Sequence, residues 1–135
     1  MQPNRSAGVY VNKVMKAGVF LCSLLIGIAA VTAGEFYRNG CERSAISAFK
    51  SDIPKGTSKD QIVKYLVAGS FTTRDDGDVW HPLINGVEVR GLWASKEYHS
   101  VWGTFYVVLT IYFDKETGGM IRSESNSFFP NRPSL

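Results

Sequence analysis

Residues 17–34 read Ala-Gly-Val-Phe-Leu-Cys-Ser-Leu-Leu-Ile-Gly-Ile-Ala-Ala-Val-Thr-Ala-Gly, an uncharged run with Lys13 and Lys16 before it and Glu35 after it. Wound as a helix at ~1.5 Å per residue, a run of this length reaches about 27 Å, close to the ~30 Å hydrocarbon thickness of a bilayer. A buried core helix of a soluble protein would leave the charge asymmetry of its flanks unexplained. The run is therefore read as a membrane segment, and it decides where every later residue works.

Charge gives the orientation. Of the 15 basic residues, Arg5, Lys13 and Lys16 precede the run, and all 12 acidic residues follow it. The chain's net charge of +3 is thus entirely N-terminal. The positive-inside bias predicts a cytoplasmic N-terminus and a single span, with residues 35–135 on the far side of the inner (cytoplasmic) membrane. Because that exported part has no basic excess, the sequence pI near 8.9 is no footprint of nucleic-acid binding.

Two fates of the run stay open. Val31-Thr32-Ala33 places small residues where a signal peptidase would cut, which would release a secreted or periplasmic protein. The apolar stretch is longer than most signal cores and its basic segment spans sixteen residues, both of which favour an uncleaved anchor. Neither Val19-Phe20-Leu21 before Cys22 nor Arg38-Asn39-Gly40 before Cys41 has the small-residue pattern of a lipid-attachment site.

Roughly 100 residues remain after the run, enough for one compact domain. Only Cys41 lies among them, so no disulfide framework holds the domain, although Cys41 could join two copies as a homodimer. Residues 35–42 turn polar around Asn39-Gly40 and are expected to form a spacer, with an α+β domain over 43–129 and a tail over 130–135. Ala45, Ile46 and Phe49 form the narrow stripe of a short amphipathic helix. After Pro54 and Gly56, Ser58 with Gln61 three residues on predicts a capping box and a second helix, with Asp60 in its first turn. Ile62, Val63, Tyr65 and Leu66 give that helix an apolar side, and Gly69 is expected to end it. So short a helix persists only when packed.

The remainder reads as an antiparallel meander of three to five strands. Phe71–Thr73 predicts a short strand and Asp75-Asp76-Gly77-Asp78 a polar turn. Asn85-Gly86 is a strong hairpin signal between Val79–Ile84 and Val87–Trp93, in a register that sets Trp80 opposite Gly91, with Pro82 confining its strand to an edge. Lys96–His99 reads as a loop. Trp102–Phe113 predicts a central strand, with Phe105, Val107, Leu109, Ile111 and Phe113 on one face and Tyr106, Val108, Thr110 and Tyr112 on the other. Asp114–Gly119 turns the chain into a last strand, Met120–Phe128.

Two of these segments resemble a known family. Ile53-Pro-Lys-Gly-Thr-Ser-Lys-Asp-Gln-Ile-Val-Lys-Tyr-Leu66 is similar to the helix start of the SmpA/OmlA (BamE-like) small envelope proteins. Ile111-Tyr-Phe-Asp-Lys-Glu-Thr-Gly-Gly-Met-Ile121 is similar to their closing hairpin. The resemblance covers about residues 43–128, and it implies two helices on a small antiparallel sheet and a binding role in the cell envelope.

No chemistry announces itself. His81 and His99, with Asp75, Asp76 and Asp78, are the one constellation an enzyme could use, but they lack the ligand spacing of a metal site. No serine sits in a nucleophile motif, and Cys41 has no evident base. Catalytic residues, metal ligands and cofactors are accordingly expected to be none. The aromatic set Trp80, Trp93, Trp102, Tyr106 and Tyr112 exceeds what a core this small requires, and such residues concentrate in interface hot spots. The expected function is a membrane-tethered module that binds another envelope protein; the alternative is an extracytoplasmic enzyme using the His81/His99 region.

The orientation is open to direct measurement. A reporter active only outside the cytoplasm, fused after Leu135, is expected to be active, and activity of a cytoplasm-only reporter at that junction would reverse the assignment.

Overall fold

The computed structural model describes residues 5–77 and 83–131, and it divides into two compact units, Met1–Phe36 and Tyr37–Leu135. Its elements in chain order are α1 (Arg5–Asp52), α2 (Lys59–Ala68), β1 (Thr72–Gly77), β2 (Leu83–Ile84), β3 (Val87–Ser100), β4 (Gly103–Asp114) and β5 (Met120–Phe128). This is an α+β protein with a long apolar N-terminal helix.

The first unit is helical. Val19, Phe20, Leu21, Leu25, Ile26 and Ile28 are all more than half exposed. The Ser23 and Thr32 hydroxyls donate to the carbonyls of Val19 and Ile28 at 2.8 Å. Such back-bonding satisfies the hydroxyls without water, as a hydrocarbon environment requires. The helix is long and apolar enough to cross a membrane, and a signal sequence meets the same criterion.

In the second unit the sheet runs β1-β3-β4-β5, all antiparallel, with β2 pairing the start of β3. The last turns of α1 and all of α2 cover one face. Phe49 and Ile53 from α1 and Ile62 and Leu66 from α2 meet Leu92, Ala94, Leu109, Ile111, Phe113 and Met120 in the main core. A smaller cluster joins Phe105, Val107 and Phe129 to Cys41, Ala45 and Tyr98. The alternation expected along 105–113 is thus the one observed, with β4 central.

The expected spacer over 35–42 is instead helix, continuous with the short helix anticipated from Ala45, Ile46 and Phe49. Asn39 and Gly40 cost helix propensity, Gly about 1 kcal/mol relative to Ala. Tertiary contacts override that cost. Arg38 donates to the Ser127 hydroxyl at 2.7 Å and also to its carbonyl, while Glu42 accepts from Ser125 at 2.9 Å and from Ser127 at 2.5 Å. Residues 38, 42, 45, 46, 49 and 53 then make one stripe at helical spacing against the sheet. Gly40 lies off that stripe, with nothing within 4 Å of where its Cβ would be. The compact unit accordingly begins at Tyr37, not at residue 43.

A second difference concerns residues 96–99, which continue β3 to Ser100 rather than forming a loop. Charged residues are tolerated there because their partners are aromatic or exposed. Tyr98 stacks on Phe105 at 5.2 Å between ring centroids, and the Lys96 ammonium sits 5.4 Å from the centre of the Tyr98 ring and 5.7 Å from that of Phe71. Val101 and Trp102 make the tight turn to β4, with Ser100 opposite Gly103. Asp75 and Asp76 likewise lie in β1, not in a turn. The Asn85-Gly86 hairpin is present, with φ of 52° and 79°, the left-handed pair such a turn needs. Gly91 pairs with Gly77 on one side and Tyr112 on the other, so the neighbour expected to be Trp80 is a glycine. Trp80 itself, like Asp78, Val79, His81 and Pro82, lies outside the described residues.

The start of α2 is fastened to the start of β5. The Gly56 N–H donates to the Met120 carbonyl at 2.9 Å, the Met120 N–H donates to Thr57 at 3.0 Å, and Ser58 bridges Gly119. Ser58 holds the N-cap position by its backbone, but its side chain makes no capping bond, which removes the capping box from the account of this helix. At the other end Gly69 has an ordinary φ of −82°, and Ser70 carries the left-handed conformation at φ 66°. The Phe71 N–H donates to Leu66 and the Ser70 N–H to Val67, which makes a Schellman motif with serine where glycine is preferred. The Tyr65 hydroxyl joins the two helices, donating to Asp52 at 2.7 Å. That bond to a carboxylate, with some burial, raises the phenol's pKa above its ordinary value.

Two substitutions of opposite sign test this account by thermal melting of the full chain in detergent. Ser70→Gly removes the left-handed penalty and is expected to stabilise by about 1 kcal/mol. Gly119→Ala would put a Cβ 3.1 Å from the Gly56 backbone, a contact no side-chain rotation can relieve, and is expected to destabilise by about 1–3 kcal/mol.

Candidate functional site

With both helices on one face, the other face of the sheet carries no covering element among the described residues. The register gives its rows. Arg74, Trp93, Thr110 and Glu124 lie side by side, followed by Thr72, Ser95, Val108 and Asn126, and then by Glu97, Tyr106 and Phe128. The row on the other flank is Gly77, Gly91, Tyr112 and Arg122. Charges of both signs thus alternate with aromatic rings.

The aromatic residues singled out from sequence separate on this frame. Trp93, Tyr106 and Tyr112 share the open face, as their alternation requires. Trp102 does not join them: it sits in the β3–β4 turn, its ring 5.6 Å from that of Tyr37. Within the open face, exposure also departs from expectation. Tyr112 is 7% exposed and Val108 4%, although both lie on the open face. Tyr112 stands beside Gly91, and a ring next to a missing side chain is well covered by its own sheet. The exposed aromatic surface lies on the neighbouring strands, at Trp93 (40%) and Phe128 (44%). Phe128 was not anticipated as part of this surface. Its signal was its place opposite Tyr106, with which it stacks at 5.7 Å. Trp93 and Phe128 are two strands and four residues apart, roughly 16 Å by sheet spacing.

The histidine constellation does not assemble among the described residues. His99 lies on the open face, three-quarters exposed, with Nδ1 3.1 Å from the Thr104 hydroxyl and Nε2 3.9 Å from Glu97. Asp75 is on the opposite face in an ion pair with Lys59 and stands beside Leu92, seven residues along β3 from His99, or about 23 Å. No group of three or more His, Cys, Asp or Glu residues able to hold a metal occurs among the described residues. His81 and Asp78 lie outside them.

Cys41 is half-buried on the helix-covered face, packed against the Phe105 cluster. Its side-chain hydrogen bond with Tyr37, and to a lesser degree its charge, raise the Tyr37 pKa; burial first, then Cys41 and Tyr37, raise that of Tyr98. The three side chains form a small polar inset in an aromatic cluster.

No family model, no curated protein and no solved structure matches this chain. The expected resemblance to the SmpA/OmlA proteins thus finds no support in these comparisons.

The division between screened and exposed rings can be measured. Tyr112→Ala is expected to lower stability by about 2–4 kcal/mol, as the loss of a buried aromatic does. Trp93→Ala, at a half-open edge of the face, is expected to change it by less than about 1 kcal/mol. Equal melting shifts for the two would contradict the exposure pattern.

Proposed function

We propose that this chain is a membrane-tethered protein-interaction module of the cell envelope, anchored through residues 17–34 and working outside the cytoplasm. Its reading rests on one observation: the helices cover a single face of the sheet, and the other presents Trp93 and Phe128 among Arg74, Glu97, Arg122 and Glu124. Large aromatic anchors ringed by polar groups of both signs have the composition of a protein interface, and a flat face without convergent titratable groups offers a substrate little enclosure. The partner is taken to be another envelope protein whose surface brings apolar pockets for two rings.

The test places a photo-crosslinking residue at Ser95, between the two rings, in the full chain in native membranes. One specific adduct is expected, lost in the Trp93→Ala/Phe128→Ala variant while that variant still melts like the parent chain. A doubly substituted variant that melts normally and gives the same adduct would defeat the binding-face reading.

A further inference from the structure

A groove of about 800 Å³ runs between the end of α1 and β5, apart from the open sheet face. Its floor is apolar, from Ile46, Ile53 and Met120, and its rim carries Lys50 and Lys55 beside an Arg122–Glu124 ion pair of 2.5 Å. It stays open because of what β5 places under the helix. The residues facing α1 between Met120 and Ser127 are Ser123 and Ser125, opposite Ile111 and Leu109, where larger apolar side chains would have closed the layer.

The long wall of this groove is a sheet edge. β5 pairs only with β4 among the described residues. Its two ends are clipped. At Met120 the backbone bonds Gly56 and Thr57, and at Ser127 the carbonyl accepts from Arg38. Between the clips, the outward N–H and C=O groups of residues 121–126, one set for every second residue, pair with no other strand among the described residues. A free edge beside a helix, with an apolar floor, is the geometry by which a sheet takes in an extended peptide as an added strand.

We infer that this groove binds an extended acidic peptide segment, which pairs with β5 over residues 121–126 and, on the face turned to α1, sets apolar side chains on Ile46, Ile53 and Met120 and carboxylates at Lys50 and Lys55. The charge balance of the rim selects this occupant over a second copy of the chain. A β5–β5 pairing would set Arg122 against a partner's Glu124, but it would also bring two sets of Lys50 and Lys55 to one groove. The inference is separable from the open-face reading: the two share Arg122 and Glu124, but neither Trp93 nor Phe128 lines the groove.

The probe is a fluorophore-labelled octapeptide in which valine and glutamate take turns at every second position with threonine between them, so that both share one strand face, titrated by anisotropy against the full chain in neutral detergent. Saturable binding is expected, with slowed hydrogen exchange of the β5 amides. The peptide with lysine in place of glutamate is expected not to bind, and N-methylation of alternate peptide nitrogens, which removes ladder donors, is expected to abolish binding. Lys50→Glu/Lys55→Glu, at two exposed positions, is expected to weaken binding about tenfold or more with an unchanged melt. Three outcomes would overturn the inference: no saturable binding of the glutamate peptide, equal binding of its N-methylated form, or β5 amides already protected in a chain that sediments as a dimer.

Discussion

The bridge between Gly56–Ser58 and Gly119–Met120 determines where the helical layer can sit. It is a short antiparallel contact closed by hydrogen bonds of 2.9 and 3.0 Å, and it is tight enough that a Cβ at position 119 would press on the Gly56 backbone at 3.1 Å. Because it ties the loop after α1 to the first residue of β5, Ile53 enters the core beside Met120, and α2 starts at a fixed point over the sheet. From there Ile62 and Leu66, both fully buried, fall over the Leu109–Phe113 stretch of β4 without further constraint on the helix ends. That is why α2 holds without a side-chain cap: its position is set by the backbone contact preceding it and by the Schellman bonds following it.

The same contact explains which parts of the fold were legible in the sequence. Period-two alternation through 105–113 and the Asn85-Gly86 turn are local signals, and the structure follows them. The helix over 35–42 and the strand over 96–99 were not legible, because what holds them is distant in sequence. Arg38 and Glu42 find their partners at Ser125 and Ser127, more than eighty residues away, and Lys96 finds the rings of Phe71 and Tyr98. A polar residue in isolation reads as loop; the same residue with a committed partner extends an element. Ser70 shows the converse case, since the neighbouring Gly69 drew the assignment of the left-handed position that the serine takes.

The candidate surface was legible as a face and misjudged as to its residues. Alternation along β4 correctly separates Tyr106 and Tyr112 from the helix-covered side, but it cannot report screening, which depends on the strands to either side. The open-face rings of β4 are covered, and the exposed rings come to lie on β3 and β5. Trp102 was misplaced for another reason. The β3–β4 turn removes it from the alternation altogether, and the helical Tyr37 gives its ring a partner on the covered side.

The two surfaces differ in what they ask of a partner, and the proposed anchor bears on both. The open face offers two large exposed rings among mixed charges, and the groove offers six residues of strand edge. Neither, bound as a free module, has the packed anchors on which tight complexes depend. Tethering changes the arithmetic: a partner held at the same membrane meets this domain at an effective concentration set by geometry rather than by abundance, in the millimolar range for short linkers. Under the proposed reading, partners are therefore those that present a complementary surface or an acidic strand close to the membrane, and modest intrinsic affinity is sufficient to hold them.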